Sequence, residues 1–253
     1  ETRGESRSGK PGLRRLRVHH SYLRCYDTRE TLGSLLEWTD QFRPRRTSVI
    51  DPLPYTEFDP ESDASVEAMA QIKSLLGYIS EDPEREGLID TPKRVVKAMN
   101  EHYWGYRADP FEPLQKTFSE VENYDELVLL QNMEIQSHCE HHMVPFVGKA
   151  HVAYIPNGRV VGLSKLARVV EIFSKRLQVQ EKLTAQIANT IQEALQPQGV
   201  AVIIQARHFC MCYRGVKQSN AWTTTSKLHG VFLENPAARM ELLTLIGSNP
   251  GRD

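Results

Sequence analysis

The chain has 253 residues, of which 40% are hydrophobic and 25% charged, so it can bury a sizeable core like an ordinary globular protein. No run approaches 18 apolar residues, which excludes a predicted membrane span, and we expect no membrane partner. The four cysteines are too few for a disulfide framework in a chain of this length. They favour metal binding or a reduced, cytoplasmic setting.

The formal net charge of −1 hides an excess of basic residues at the start of the chain. Residues 1–46 carry 11 basic and 6 acidic side chains. They lack the clustered motifs of nucleic-acid binders, so we expect a solvated extension and no nucleic-acid partner. Prolines at positions 44, 52, 54 and 60 then indicate a linker. The sequence therefore predicts a basic, poorly ordered extension with a proline-rich linker over residues 1–60 and one domain over residues 61–250.

Helical patterns come first in that domain. Apolar residues recur at spacings of three and four from about Ser65 to Ile79. Thr91-Pro92 has the signature of a helix start, and this helix is predicted to continue to about Tyr103. We therefore expect residues 61–120 to be the helical part of the domain.

Extended and helical patterns then alternate over residues 121–250. Strands are predicted over Leu127–Ile135 and Phe146–Ile155, and Asn157-Gly158 predicts a tight turn into Val160. Ser164 is predicted to cap the next helix. The remaining predictions are a helix over Val179–Leu195, strands from Val200 toward Tyr213 and over Leu228–Leu233, and a last helix from Asn235-Pro236 to Ile246. This order predicts an α+β domain whose antiparallel sheet bears paired helices.

Cysteine and histidine concentrate in two short segments. Cys139 and His142 are three residues apart, which suits two ligands on one helical turn or tight loop, and thiolate with imidazole is a zinc-type set. Along a strand, Cys210 and Cys212 would lie ~6.6 Å apart, too far to share one tetrahedral zinc. The spacing therefore favours Cys139, His142 and one strand cysteine, with a fourth position open for water. A structural zinc closed by Cys212 stays the alternative.

At these residues the chain resembles the GTP cyclohydrolase I family. The resemblance extends from roughly Ser65 to Ile246 and leaves residues 1–60 outside. Its matching stretches are Cys139–His142 with Val144–Phe146, Gly162–Arg168, Gln178–Thr184, His208–Gly215 and Thr223–Ser226.

The resemblance implies a zinc-dependent reaction that converts GTP and water into 7,8-dihydroneopterin triphosphate and formate, the first step of tetrahydrofolate and pterin biosynthesis. It implies Cys139, His142 and Cys210 as the zinc ligands, and attack of water on C8 of the purine. Imidazole titrates near working pH, so His141 and His208 are expected to handle protons. Ser164 is implied in the later steps on the ribose.

The same resemblance implies the contacts to the substrate. Glu181 is expected to accept from the guanine N1–H and 2-amino group, with Gln180 as a neighbouring amide, which would reject adenine. The triphosphate is expected to be bound by cations, some of them paired at helical spacing. These are Lys165, Arg168, Arg214, Arg94 and Lys97.

The resemblance also implies the architecture and the assembly. It predicts a tunnelling fold, an antiparallel sheet with two antiparallel helices on one face, preceded by the helical region. It predicts a homodecamer of two stacked pentameric rings, with active sites between subunits. Two alternatives remain: a non-catalytic GTP-binding protein with a structural zinc, and another tunnelling-fold enzyme acting on a purine or pterin.

Overall fold

The computed structural model describes residues 58–119 and 121–248, so the extension predicted over residues 1–60 lies outside the described residues except for its last three positions. Two helices come first, α1 (Asp63–Tyr78) and α2 (Thr91–His102), followed by 3₁₀ turns at Trp104–Arg107 and Glu112–Gln115. The other elements are β1 (Thr117–Phe118), β2 (Val128–Cys139), β3 (Pro145–Ile155), β4 (Val160–Val161), α3 (Leu163–Ser174), β5 (Leu177–Gln178), α4 (Gln180–Leu195), β6 (Gly199–His208), α5 (Phe209–Cys212), β7 (Thr223–Gly230), α6 (Val231–Glu234) and α7 (Pro236–Gly247).

A five-stranded sheet in the order β5-β2-β3-β6-β7 forms the centre of the fold. The pairs β2–β3, β3–β6 and β6–β7 are antiparallel, whereas the short β5 runs parallel to the end of β2. Strands β1 and β4 form a separate antiparallel pair. The predicted mixture of helices and sheet is therefore confirmed.

The side chains of the sheet alternate between two apolar layers, as the two-residue period of a strand requires. Val152 and Val202, which are paired across β3 and β6, lie in the large core with the apolar faces of α3 and α4. Their neighbours Ala153 and Ala201 lie in a smaller core that contains Leu242 of α7. Two helices thus cover one face of the sheet, and the C-terminal helix covers part of the other.

The end of β6 differs from the prediction. A strand continuing toward Tyr213 is wrong, because β6 ends at His208 and one helical turn, α5, follows. His208 pairs with Phe146, next to the Pro145 at which β3 begins. Proline has no N–H to donate to a neighbouring strand. The residues after His208 therefore have no partner on β3, and the chain turns into a helix.

Two further boundaries need correction. Ser164 does not cap α3, because the N-cap is Gly162 and Ser164 is the second residue of the helix. The strand predicted over Leu228–Leu233 instead covers Thr223–Gly230. It ends where Gly230 pairs with Gly199, the first residue of β6, and Gly230 has a φ of 54°, which favours glycine.

Arg176, directly after α3, connects the helical region to the sheet-bearing part. Its guanidinium donates to the carbonyl oxygens of Gly105 at 2.9 Å and Ala108 at 3.4 Å, and it lies 4.7 Å from the ring of Phe173. Burial lowers the pKa of Arg176 to about 10. Within the described part of the chain, none of the helices combines the length and hydropathy needed to cross a membrane.

Candidate metal centre

The turn between β2 and β3 positions the first two candidate ligands. Cys139 is the last residue of β2, and its N–H donates to the carbonyl of Val144 at 2.9 Å. The carbonyl of Cys139 accepts from the N–H groups of His142 at 3.3 Å and Met143 at 2.8 Å. Met143 has a φ of 53°, so the chain reverses sharply. The predicted tight loop therefore folds His142 back toward Cys139.

The third candidate ligand comes from the helical turn after β6. One ligand atom each of Cys139, His142 and Cys210 lies within 4.8 Å of the other two. Cys139 is buried, Cys210 half-buried and His142 exposed. The Cys139 Sγ and His142 Nδ1 atoms are 3.9 Å apart. Donors on one tetrahedral zinc lie about 3.6 Å apart, given bonds of ~2.3 Å to sulfur and ~2.1 Å to nitrogen. The donor set and spacing therefore fit a zinc ion.

Cys212 lies outside this group. Its side chain is buried, with Sγ 3.8 Å from the carbonyl oxygen of Gln218 and 3.9 Å from that of Ser219. Residues two apart on a helical turn point in different directions, so Cys210 and Cys212 do not face one ion. Among the described residues, the candidate metal group contains three ligands, which is the open arrangement of catalytic zinc sites rather than the closed structural one.

The two thiols affect each other. Burial raises the pKa of Cys210, and the neighbouring Cys139 raises it further, while Arg214 acts in the opposite direction. Two neighbouring thiolates repel each other, and a metal cation bound between them would stabilise both. Arg214 also donates from Nη1 to Nε2 of His142 at 3.0 Å, so one predicted phosphate contact lies directly beside a predicted ligand.

Of the two predicted acid–base histidines, His141 contacts a member of this group, and His208 lies two residues before Cys210 in the chain. Nδ1 of His141 is 3.7 Å from Sγ of Cys139. His208 ends β6, and its ring stacks on Phe146 with centroids 4.5 Å apart and planes 11° apart. Burial lowers the pKa of His208, whereas the carboxylate of Glu181 acts to raise it. Imidazoles adjoining a metal group are able to exchange protons with a molecule held there.

The start of α4 supplies the predicted guanine contacts, which have different surroundings. Glu181 is exposed and free to meet a ligand from outside. Gln180 is only 1% exposed, and its Oε1 accepts from Nε2 of His208 at 2.8 Å. Its Nε2 is within hydrogen-bonding distance of three further oxygens of the protein. The geometry thus favours bonds from the Gln180 amide to the protein itself rather than to a ligand.

The other predicted cations lie on helices α2 and α3. Lys165 and Arg168 occupy the first two turns of α3, where Lys165 is half-buried and Arg168 exposed. Arg94 forms an ion pair with Asp90 on its own helix at 3.1 Å, and Lys97 on the same helix is exposed. Ser164 is exposed at the start of α3. Among the described residues, no contact joins these four cations or Ser164 to the group of Cys139, His142 and Cys210.

Sequence reasoning assigns no role to several residues that the structure places at the site. Phe146 stacks on His208, and Thr225 and Thr184 bond each other and the Gln180 segment. Lys182 forms an ion pair with Glu140 at 3.5 Å, which joins α4 to the loop after β2. The alternation of Thr223 and Thr225 in a strand is the only sequence signal for this arrangement.

The fold and site together define the class of protein: a mixed α/β enzyme candidate with a two-cysteine, one-histidine metal group and histidines beside it. The sequence profile of the family described as GTP cyclohydrolase I matches residues 68–247. The proteins named GTP cyclohydrolase 1 from Brucella suis and Brucella abortus are each 53% identical to this chain over 180 residues, covering 71% of this chain and 84% of theirs. The chain belongs to the GTP cyclohydrolase I family and is an enzyme of this type.

A solved structure also overlaps part of the chain. The archaeosine synthase QueF-Like in its apo form has a TM-score of 0.35 and 19% sequence identity, over 41% of this chain and 93% of that one. This similarity is too low to support a conclusion about the fold.

Proposed function

We propose that this chain is a zinc-dependent GTP cyclohydrolase I, which converts GTP and water into 7,8-dihydroneopterin triphosphate and formate. The observation that carries the proposal is the group of Cys139, His142 and Cys210 within 4.8 Å, on a chain that is 53% identical to proteins named for this activity. The reaction would be the first step of tetrahydrofolate and pterin biosynthesis, in the cytoplasm.

Cys139, His142 and Cys210 would hold the zinc in this proposal. Zinc bound there supplies Lewis-acid activation of water at neutral pH. A catalytic zinc site needs only three protein ligands, which would leave its fourth coordination position open for water.

The histidines supply the proton transfers that opening of the imidazole ring needs. His141, 3.7 Å from Sγ of Cys139, and His208, at the end of β6, would donate or accept protons at the purine nitrogen and the departing formyl group. Ser164, exposed at the start of α3, would act in the later steps on the ribose. These roles give the chain an acid or base for each stage of the reaction.

Guanine would be selected by the start of α4. A carboxylate such as Glu181 accepts from N1–H and the 2-amino group together, and adenine offers no such donor pair. The Gln180 amide, adjacent in sequence, is buried and would support this end of the site through its bonds within the protein. Lys165, Arg168 and Arg214 would bind the triphosphate, and Arg94 and Lys97 would add further positive charge to it.

We further propose the tunnelling fold for this domain and a homodecamer of two stacked pentameric rings as its assembly. The antiparallel strands β2, β3, β6 and β7, with α3 and α4 packed on one face, support the fold. Cations from a neighbouring subunit would complete the site.

The test is incubation of purified, zinc-loaded protein with GTP, followed by measurement of formate and of the fluorescent oxidised pterin. We expect both products in equal amounts, and neither with ATP. A GTP-binding protein that releases neither product would overturn the proposal and favour the non-catalytic alternative. Turnover of a different purine or pterin would favour another enzyme of the same fold.

A further inference from the structure

The side-chain amide of Gln180 is buried and bonds to four groups of the protein, one of which is the ring of His208. Its Nε2 donates to the carbonyl oxygens of Ile204 and Thr223, both at 3.0 Å, and to Oγ1 of Thr225 at 3.1 Å. Its Oε1 lies 2.8 Å from Nε2 of His208. The residue is 1% exposed, so water does not compete for these groups.

These partners determine which way the amide points. Backbone carbonyl oxygens only accept, so the two that belong to Ile204 and Thr223 require the NH₂ end of the amide. A reversed amide would place Oε1 against two acceptors and leave buried oxygens without donors, which is unfavourable. The Oε1 atom must therefore face His208.

Two threonines reinforce this arrangement. Thr184 donates from Oγ1 to the backbone carbonyl of Gln180 at 2.7 Å, and its Oγ1 lies 2.6 Å from Oγ1 of Thr225. Since Thr184 uses its proton on that carbonyl, Thr225 donates to Thr184 and can accept from the Gln180 amide. The two amide protons are shared among three oxygens, all of which can accept, and this holds the amide in one orientation.

An amide oxygen accepts only, so its partner on His208 must be an N–H. Nε2 of His208 therefore carries a proton, and in the neutral imidazole the lone pair is on Nδ1. Phe146, stacked on the ring at 4.5 Å, limits rotation of the ring out of this plane.

We propose that Gln180 is a positioning residue, which fixes the ring orientation and the Nε2–H tautomer of His208 and so presents Nδ1 as its proton-accepting atom. This inference rests on the proposed function for its consequence in catalysis, because His208 acts there as an acid–base group. In this inference the Gln180 side chain positions His208 and does not contact guanine. Guanine recognition then falls to Glu181, the exposed next residue.

The kinetic test is Gln180→Leu in the zinc-loaded assembly, with Gln178→Leu as the matched control. Gln178 is an equally buried glutamine, 1% exposed, whose amide donates to the Phe173 carbonyl and to Gln186 and does not bond His208. We expect Gln180→Leu to lower kcat about 100-fold, the scale of one acid–base group, with KM for GTP changed less than about threefold. The Gln178→Leu protein should keep kcat within about threefold and retain its zinc.

A rise in KM with kcat unchanged would overturn the inference, since it indicates a guanine contact instead. Equal losses of kcat in both variants would also overturn it, because they indicate general destabilisation. Neutron diffraction of the unmutated protein gives a readout that needs no turnover. Deuterium on Nε2 of His208 and none on Nδ1 is expected, and the opposite pattern would contradict the inference even if the protein acts on another substrate.

Discussion

At the scale of single residues, the candidate metal group depends on two unrelated pieces of backbone. Cys139 and His142 are brought together by the turn that begins at the end of β2, whereas Cys210 lies on the helical turn after β6. Both segments end at neighbouring positions because β2, β3 and β6 are adjacent strands. The sheet thus brings the local turn with Cys139 and His142 together with the distant Cys210.

Replacement of single ligands tests this group. Cys139→Ser, His142→Ala and Cys210→Ser each remove a donor from a site with only three protein ligands. We expect bound zinc to fall from about one per chain to below about 0.1, with formate release lost in parallel. Metal analysis of the purified proteins and the formate assay measure the two effects.

Cys212→Ser is the control for these variants, because its thiol lies by the carbonyls of Gln218 and Ser219 and outside the group. It should keep both zinc and activity. Loss of zinc from this variant would instead indicate a closed, four-ligand structural site.

The sequence predicts the members of this group better than it predicts their geometry. The spacing of Cys139 and His142 is local, and the prediction of a tight loop is confirmed. The reasoning for Cys210 assumes a strand that the structure does not contain, although Cys210 does belong to the group. The surroundings of Gln180 could not be predicted at all, because they depend on carbonyls that lie 24 and 43 residues away in the chain.

At the scale of elements, boundaries are determined by partners rather than by propensity. The apolar and β-branched residues of β6 predict a strand correctly, but the strand ends where β3 has no further residue to pair with. Likewise β7 ends at the first residue of β6, so Leu228 is near its end and not its beginning. Pairing of this kind depends on register between distant segments, which one sequence does not reveal.

Gly105 shows a similar dependence between the helical region and α3. A Cβ at this position would lie 2.0 Å from the carbonyl oxygen of Ile172 and 2.8 Å from that of Lys175. Its own N–H donates to Lys175 at 3.1 Å, and its carbonyl accepts from Arg176 at 2.9 Å. The backbone of the 3₁₀ turn thus approaches the end of α3 as closely as a glycine permits.

We predict that Gly105→Ala destabilises the protein by about 1–3 kcal/mol, because backbone atoms must move to relieve the overlap. This corresponds to a fall in Tm of roughly 2–4 °C for each kcal/mol in a protein of this size. Gly77→Ala is the control, since that glycine lies in α1 with nothing within 4 Å of its added Cβ. It should leave Tm unchanged or raise it slightly, as alanine favours a helix. Equal Tm values for the two variants would contradict close packing at Gly105.

At the scale of the whole molecule, the described surface contains features that suit the proposed assembly. Helix α1 has no buried residue, although it carries apolar side chains. Leu75, Tyr78 and Ile79 are 53%, 84% and 59% exposed, and their spacing places them on one side of the end of the helix. Strand β7 pairs on one side only within the described sheet, so its other edge can accept a strand from another subunit.

If this apolar cluster is covered by another subunit, charge placed there should reduce the size of the assembly. One chain has a mass of 28.9 kDa, and light scattering of the unmodified protein should give about ten times this value. The double variant Leu75→Glu, Ile79→Glu should give a smaller particle, because burying unpaired carboxylates in an apolar interface costs several kcal/mol. Its kcat should fall as well if sites form between subunits.

Gln71→Glu adds a carboxylate at an exposed polar position of the same helix and should leave mass and activity unchanged. An unmodified protein with the mass of one chain and full activity would contradict the proposed decamer, whereas a decamer unaffected by the double variant would place its contacts elsewhere on the surface.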